Sequence, residues 1–149
     1  MSSSNLSIVV YGLGEDPHHR SHWAFAIHRP TEDIGNIFHV TPLDLEKLIY
    51  RFETQKSVLI RGKGSEGSFP VARLSPEQVP RASRIIGEEP APGDGVERCQ
   101  DWVLRTVISL EAEEVVPAGT SERIGGLVGQ SADYVAGVSG DEWISSGDA

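Results

Sequence analysis

Apolar side chains alternate with small or polar ones through the first half of the chain. Through the second half they recur at three- and four-residue steps. Residues 6–14 (LSIVVYGLG) are β-branched and end in glycines, and residues 22–29 (HWAFAIHR) alternate large and small side chains with period two. Residues 36–43 (NIFHVTPL) follow a turn at PTEDIG, so 22–29 and 36–43 predict an antiparallel hairpin with Gly35 in its connection. Residues 57–63 (SVLIRGK) and 69–75 (FPVARLS) predict two more strands around the flexible GKGSEG. Between these pairs, PLDLEKLIYRF predicts a short helix, because Leu43, Leu45, Leu48 and Ile49 recur near helical spacing.

SPEQVPRASRIIGEE opens the helical half with Ser75 as cap and Pro76 at the first helical position, and Pro80 is expected to end or kink this helix early. After the loop EEPAPGDG, Asp94 predicts the N-cap of a helix over about 95–113. Its apolar stripe runs through Val96, Cys99, Trp102, Val103, Thr106, Val107 and Leu110. A last helix, TSERIGGLVGQSADYVAGV, is weakened by Gly125, Gly126 and Gly129. Residues 1–5 and the acidic tail 140–149 are expected to be flexible, apart from Trp143. Strands first and helices after predict an α+β class, an antiparallel sheet with helices packed on it.

With 149 residues the chain has the length of one domain with a substantial core. No apolar run is long enough for a membrane span, and the N-terminus lacks the basic start and apolar stretch of a signal peptide. A single cysteine forms no internal disulfide, so the expected compartment is cytoplasmic, with no membrane anchor. The formal net charge of −9 argues against nucleic acid and anionic membranes as partners. No phosphate loop or cofactor motif is present, and no cofactor is expected.

The candidate chemistry centres on that cysteine. A thiol serves as nucleophile as its thiolate, which a helix N-terminus favours, and it needs a base within reach. His22 and His28 share one face of their strand, opposite Trp23, Phe25 and Ile27. With the aromatic face as core, His22 points to the other side, where a helix can bring Cys99. His39 on the neighbouring strand can hold the His22 imidazole in one tautomer, which gives nucleophile, base and orienting group. His18 and His19 read as solvated loop residues. The competing reading makes Cys99 a packed core hydrophobe. A metal site from His18, His22 and His28 lacks a second cysteine or an HExxH pattern.

The order of three short motifs, RSHWAFAIHR, IFHVTP and RCQDWVLR, resembles the lecithin retinol acyltransferase-like and phospholipase/acyltransferase family, the circularly permuted branch of the NlpC-type, papain-like fold. The resemblance implies that architecture, with His22 as catalytic base, His39 as orienting residue and Cys99 as nucleophile. It also places Trp23, Arg98, Gln100 and Trp102 around the substrate. Arg98 stands where the family has Asn, and Gln100 and Asp101 stand for Glu-His. With the acidic tail, these departures direct the expectation away from phospholipid and retinyl ester. A small-molecule or peptide amide, ester or thioester is expected instead. Arg98 would hold the thiolate or grip a substrate carboxylate, while Arg20, Arg98 and Gln100 are the candidates for a second oxyanion donor. The implied function is therefore a cysteine-dependent hydrolase or acyltransferase. The alternative is a non-catalytic small-ligand or protein-binding domain on the same fold.

Overall fold

The computed structural model describes residues 3–16 and 18–146. Five long strands, β1 (Ser4–Tyr11), β2 (His22–His28), β3 (Ile34–Asp44), β4 (Ile49–Leu59) and β5 (Ser65–Leu74), precede four helices, α1 (Gln78–Glu88), α2 (Cys99–Ala112), α3 (Thr120–Gly125) and α4 (Ala132–Ser139). A short strand β6 (Ile144–Ser145) completes one antiparallel six-stranded sheet of order β4-β3-β2-β1-β5-β6. The α+β class and the antiparallel sheet are therefore as the sequence pattern predicts.

Period two decides which side of the sheet meets the helices. Leu6, Ile8, Val10, Trp23, Phe25, Phe38 and Val40 form the core with Trp102, Val103, Val107 and Leu110 of α2. The Trp102 ring stands edge-on to Phe25 at 5.6 Å, an arrangement worth about 0.5–1.5 kcal/mol beyond the area buried. On the opposite face Val9, Ala24, Ala26 and Ile37 pack with Ile60, all buried although the cluster contains no helical residue. Laid flat, the sheet would put β4 and β5 four inter-strand steps apart, about 19 Å. The link 60–64, which turns at Gly62–Ser65, joins them across this face, and Ile60 packs there against the small Ala24 and Ala26.

Several sequence expectations are corrected by local chemistry. The helix predicted over PLDLEKLIYRF is the tip of the β3–β4 hairpin. There the Asp44 carboxylate accepts the backbone N–H groups of Glu46 and Lys47, and Leu48 turns left-handed at φ 53°. The strand predicted over 57–63 is the end of β4, which stops at Leu59. Gly35 lies inside β3, paired with His28, where a Cβ would come within 2.5 Å of the Ile27 carbonyl oxygen. Pro80 neither ends nor kinks α1, because it falls in the first turn, where no intrahelical donor is required, and the helix runs on to Glu88. Glu77, not Ser75, occupies its N-cap position.

Asp94 caps a separate turn through the N–H groups of Val96 and Glu97, both at 2.9 Å, and α2 begins only at Cys99. The last predicted helix is two, α3 and α4, separated by a stretch that contains Gly129 at φ 83°. Ser4 and Asn5 lie in β1, and residues 144–145 pair with β5. The Trp143 ring lies directly on Gly67, where any Cβ would collide with it. Residues 1, 2 and 147–149, part of the ends expected to be flexible, lie outside the described residues. Among the described residues, no helix is long and apolar enough to cross a membrane.

Candidate active site

Starting α2 at Cys99 changes what the thiol feels. Arg98 is the N-cap, and its N–H is taken by the Asp101 carboxylate at 2.9 Å. Cys99 is therefore the first helical residue, where N–H groups have no intrahelical partner and the helix dipole is strongest. The sulfur sits against the backbone at the start of β2. The thiol lies 3.9 Å from the Ser21 carbonyl, and the backbone N–H groups of Trp23 and Gln100 point at the sulfur and favour its anion. Burial outweighs them and pushes the thiol above its ordinary value.

His22 lies between those two β2 contacts. Its Nε2 is 2.9 Å from His39 Nδ1, and His39 Nε2 is 3.2 Å from a Glu53 carboxylate oxygen. The β3–β4 register sets His39 directly opposite Glu53. An ionised carboxylate accepts only, so His39 donates from Nε2 and accepts at Nδ1. His22 then donates from Nε2, which leaves its Nδ1 as a free lone pair, the form a base requires. Burial first, and the charge of His39 second, pull the His22 pKa down from 6.5 to about 4. Thiol and imidazole are therefore both neutral at physiological pH.

Cys99, His22 and His39 line one cleft of about 820 Å³. The helix that carries the thiol packs on the aromatic face of the sheet, not on the His22 face as the alternation suggested. The two sides meet because β2 and β3 pair only from Phe25↔Phe38 to His28↔Gly35. Beyond Phe25 the strands part, and the cleft opens at that end, with Thr41 from one face and Tyr50 from the other in its lining.

The expected substrate residues divide. Arg98 lines the cleft, with its guanidinium donating to the His18 carbonyl. Trp23 and Trp102 are wholly buried in the core, and Trp102 donates to the Glu89 carbonyl. Gln100 is also wholly buried. Its amide donates to the Ser21 carbonyl at 2.9 Å and accepts from the Gly129 N–H at 2.7 Å, so it ties α2 to β2 and to the α3–α4 link. Buried and held at both its oxygen and its nitrogen, it braces α2 and is not among the residues that line the cleft. His28 is held apart from the cleft. It donates from Nδ1 to the Arg29 carbonyl and accepts the Ser7 hydroxyl at Nε2. Among the described residues, no group of three or more His, Cys, Asp or Glu side chains is arranged to hold a metal ion.

The sequence reading missed Glu53 and left Arg20 as a candidate only. Glu53 lies in the segment whose first residues were read as helix, so its partner across the strand could not be assigned. Arg20 was only one of three oxyanion candidates, yet it lines the cleft two residues before His22.

Comparison with curated proteins and with solved structures gave no match. Residues 6–117, which run from β1 past the end of α2 and include Cys99, His22, His39 and Glu53, match a single family pattern: the chain belongs to DUF6540, a family of unknown function.

Proposed function

We propose that this protein is a cysteine-dependent acyl-transfer enzyme, a hydrolase or acyltransferase acting on an amide, ester or thioester. The observation that carries the reading is the line Glu53–His39–His22, which leaves His22 Nδ1 free in the cleft that also holds the thiol of a helix-starting cysteine. The order of base, orienting histidine and later helical cysteine also resembles the permuted NlpC-type, papain-like enzymes.

In the proposed reaction Cys99 attacks an acyl carbonyl as its proton passes to His22 Nδ1. The new C–S bond makes a tetrahedral oxyanion, which the free N–H of Cys99 receives. Collapse breaks the bond to the leaving group, which takes the proton from His22. Water, or an alcohol or amine acceptor, then gives its proton to His22 and forms the new bond to the acyl carbon, and as the C–S bond breaks the sulfur takes that proton back from His22. Because the resting pair is neutral, His22 acts as a general base and not as half of a preformed ion pair.

The rate of Cys99 alkylation by iodoacetamide, followed against pH, tests this. In the native protein the rate should rise as His22 loses its proton near pH 4, and again at high pH as the thiol ionises. His22→Ala should remove the first rise and slow neutral-pH labelling by at least about a hundredfold, the low end of what a positioned base contributes. The burial that raises the thiol pKa favours a second reading, a non-catalytic ligand-binding cleft. Labelling that needs unfolding, or that ignores His22→Ala, would establish that reading and end the enzyme proposal.

A further inference from the structure

The chain carries 22 acidic residues against 13 lysines and arginines, yet among the described residues no aspartate or glutamate lines the cleft around Cys99. Two guanidinium groups, Arg20 and Arg98, line it instead. Carboxylates stand behind this lining, Asp101 beside Arg20 and Glu53 on His39, so the charged groups that face the cleft itself are the two arginines.

The two arginines are not equivalent. Arg98 spends one amino group on the His18 carbonyl. Among the described residues, Arg20 has no hydrogen-bond partner at Nε or at Nη1, and both atoms are shut off from solvent. Its nearest counter-charge, an Asp101 carboxylate oxygen 3.6 Å from Nη1, already receives the Arg98 N–H. About a third of the side chain is still exposed, at 31%, so a ligand in the cleft meets Arg20 on that open side of the guanidinium and not at the enclosed Nε and Nη1. A carboxylate is the ligand that a guanidinium holds best, through a charge-assisted hydrogen bond from its open side, and the Arg98 charge in the same lining adds to the attraction. Leu45, Leu48 and Tyr50 give the cleft an apolar wall.

We infer that the cleft takes acyl compounds that carry a carboxylate, with the carboxylate docked on Arg20 and the carbon chain laid along the Leu45, Leu48 and Tyr50 wall. This rests on the acyl-transfer reading and narrows its substrate class. Arg20 and Cys99 line the same cleft, so a carboxylate held on Arg20 lies in the space that the thiol faces.

Iodoacetate and iodoacetamide differ only in a carboxylate beside the reactive carbon, so their rates at Cys99 provide the test. Relative to the same ratio for free cysteine, native protein should favour iodoacetate by about tenfold, the scale of one charge-assisted hydrogen bond. Arg20→Met should return the ratio to that of free cysteine while iodoacetamide labelling persists. In the unaltered protein, succinate should slow iodoacetamide labelling and succinamide should not, a result that does not depend on a variant folding. Labelling by both reagents with no preference for iodoacetate, or a preference that survives Arg20→Met, overturns the carboxylate inference and leaves the cysteine chemistry intact. Labelling by neither reagent until the protein is unfolded overturns both.

Discussion

Glu53 touches neither the thiol nor the base, yet the protonation pattern of the site starts from it. It fixes His39 as donor at Nε2, and that makes His22 donate toward His39 and keep its other nitrogen free. Removing the carboxylate lets His39 flip tautomer, and the His22 lone pair is then shared between two orientations. Glu53→Ala should lower the His22-dependent labelling of Cys99 by about ten- to a hundredfold, less than the 10²–10⁴ of a base itself. Its acid limb near pH 4 should also blur. Glu53→Gln should retain part of the rate, since its amide oxygen can still accept from His39. An unchanged rate in Glu53→Ala would show that His39 needs no partner. Motif order made it legible that His22, His39 and Cys99 come together at one cleft, although strand parity alone put the helix on the wrong face. Glu53 was not legible, because its role depends on which residue it faces across the β3–β4 ladder, and no single segment records that pairing.

The hairpin tip and the start of α2 show why periodicity misled. Leu43, Leu45, Leu48 and Ile49 fit a helical stripe, but Leu43 and Leu45 are exposed and the backbone follows the Asp44 turn instead. Likewise the stripe from Val96 into α2 is continuous in sequence, while Val96 is exposed and belongs to the turn capped by Asp94. In both places a short carboxylate caps a single turn by accepting two backbone N–H groups, and no helix continues from that turn. The strands were legible because burial on both faces leaves long β-branched and aromatic runs. One close approach can be tested directly. At Gly35 a methyl group would meet the Ile27 carbonyl at 2.5 Å and the His28 Cβ at 2.7 Å, both on the neighbouring strand. Gly35→Ala should therefore cost about 1–3 kcal/mol in denaturant unfolding, the range for overpacking a rigid site. Gly93→Ala, with nothing within 4 Å of the new methyl, should cost far less. Equal losses at the two positions would refute the tight β2–β3 approach.

The folded molecule also has a predictable response to acid. His22 is held at about 4 against 6.5 for the exposed side chain, and burial lowers His28 in the same direction. Between those values the unfolded chain binds protons that the folded chain refuses. Stability from His22 is thus complete above about pH 6.5 and is lost as pH falls toward 4. The drop amounts to about 3 kcal/mol at 1.36 kcal/mol per pKa unit. Asp94, Glu111 and Glu113, all lowered by hydrogen bonds, add losses of the same sign at still lower pH. Opposing this, the net charge of −9 shrinks on acidification and relieves repulsion across the surface. That repulsion is between solvated charges and is screened beyond about 8 Å at 0.15 M salt, whereas the histidine penalty is buried and is not. The buried groups should win at physiological salt. Urea unfolding of the native protein in 0.15 M salt should show stability falling steadily from pH 7 to pH 4.5. His22→Gln, which cannot take up the proton in either state, should flatten that slope and leave the smaller part due to His28. A slope unchanged by His22→Gln would mean that His22 titrates as a solvated histidine, and the neutral, buried base on which the mechanism depends would be wrong.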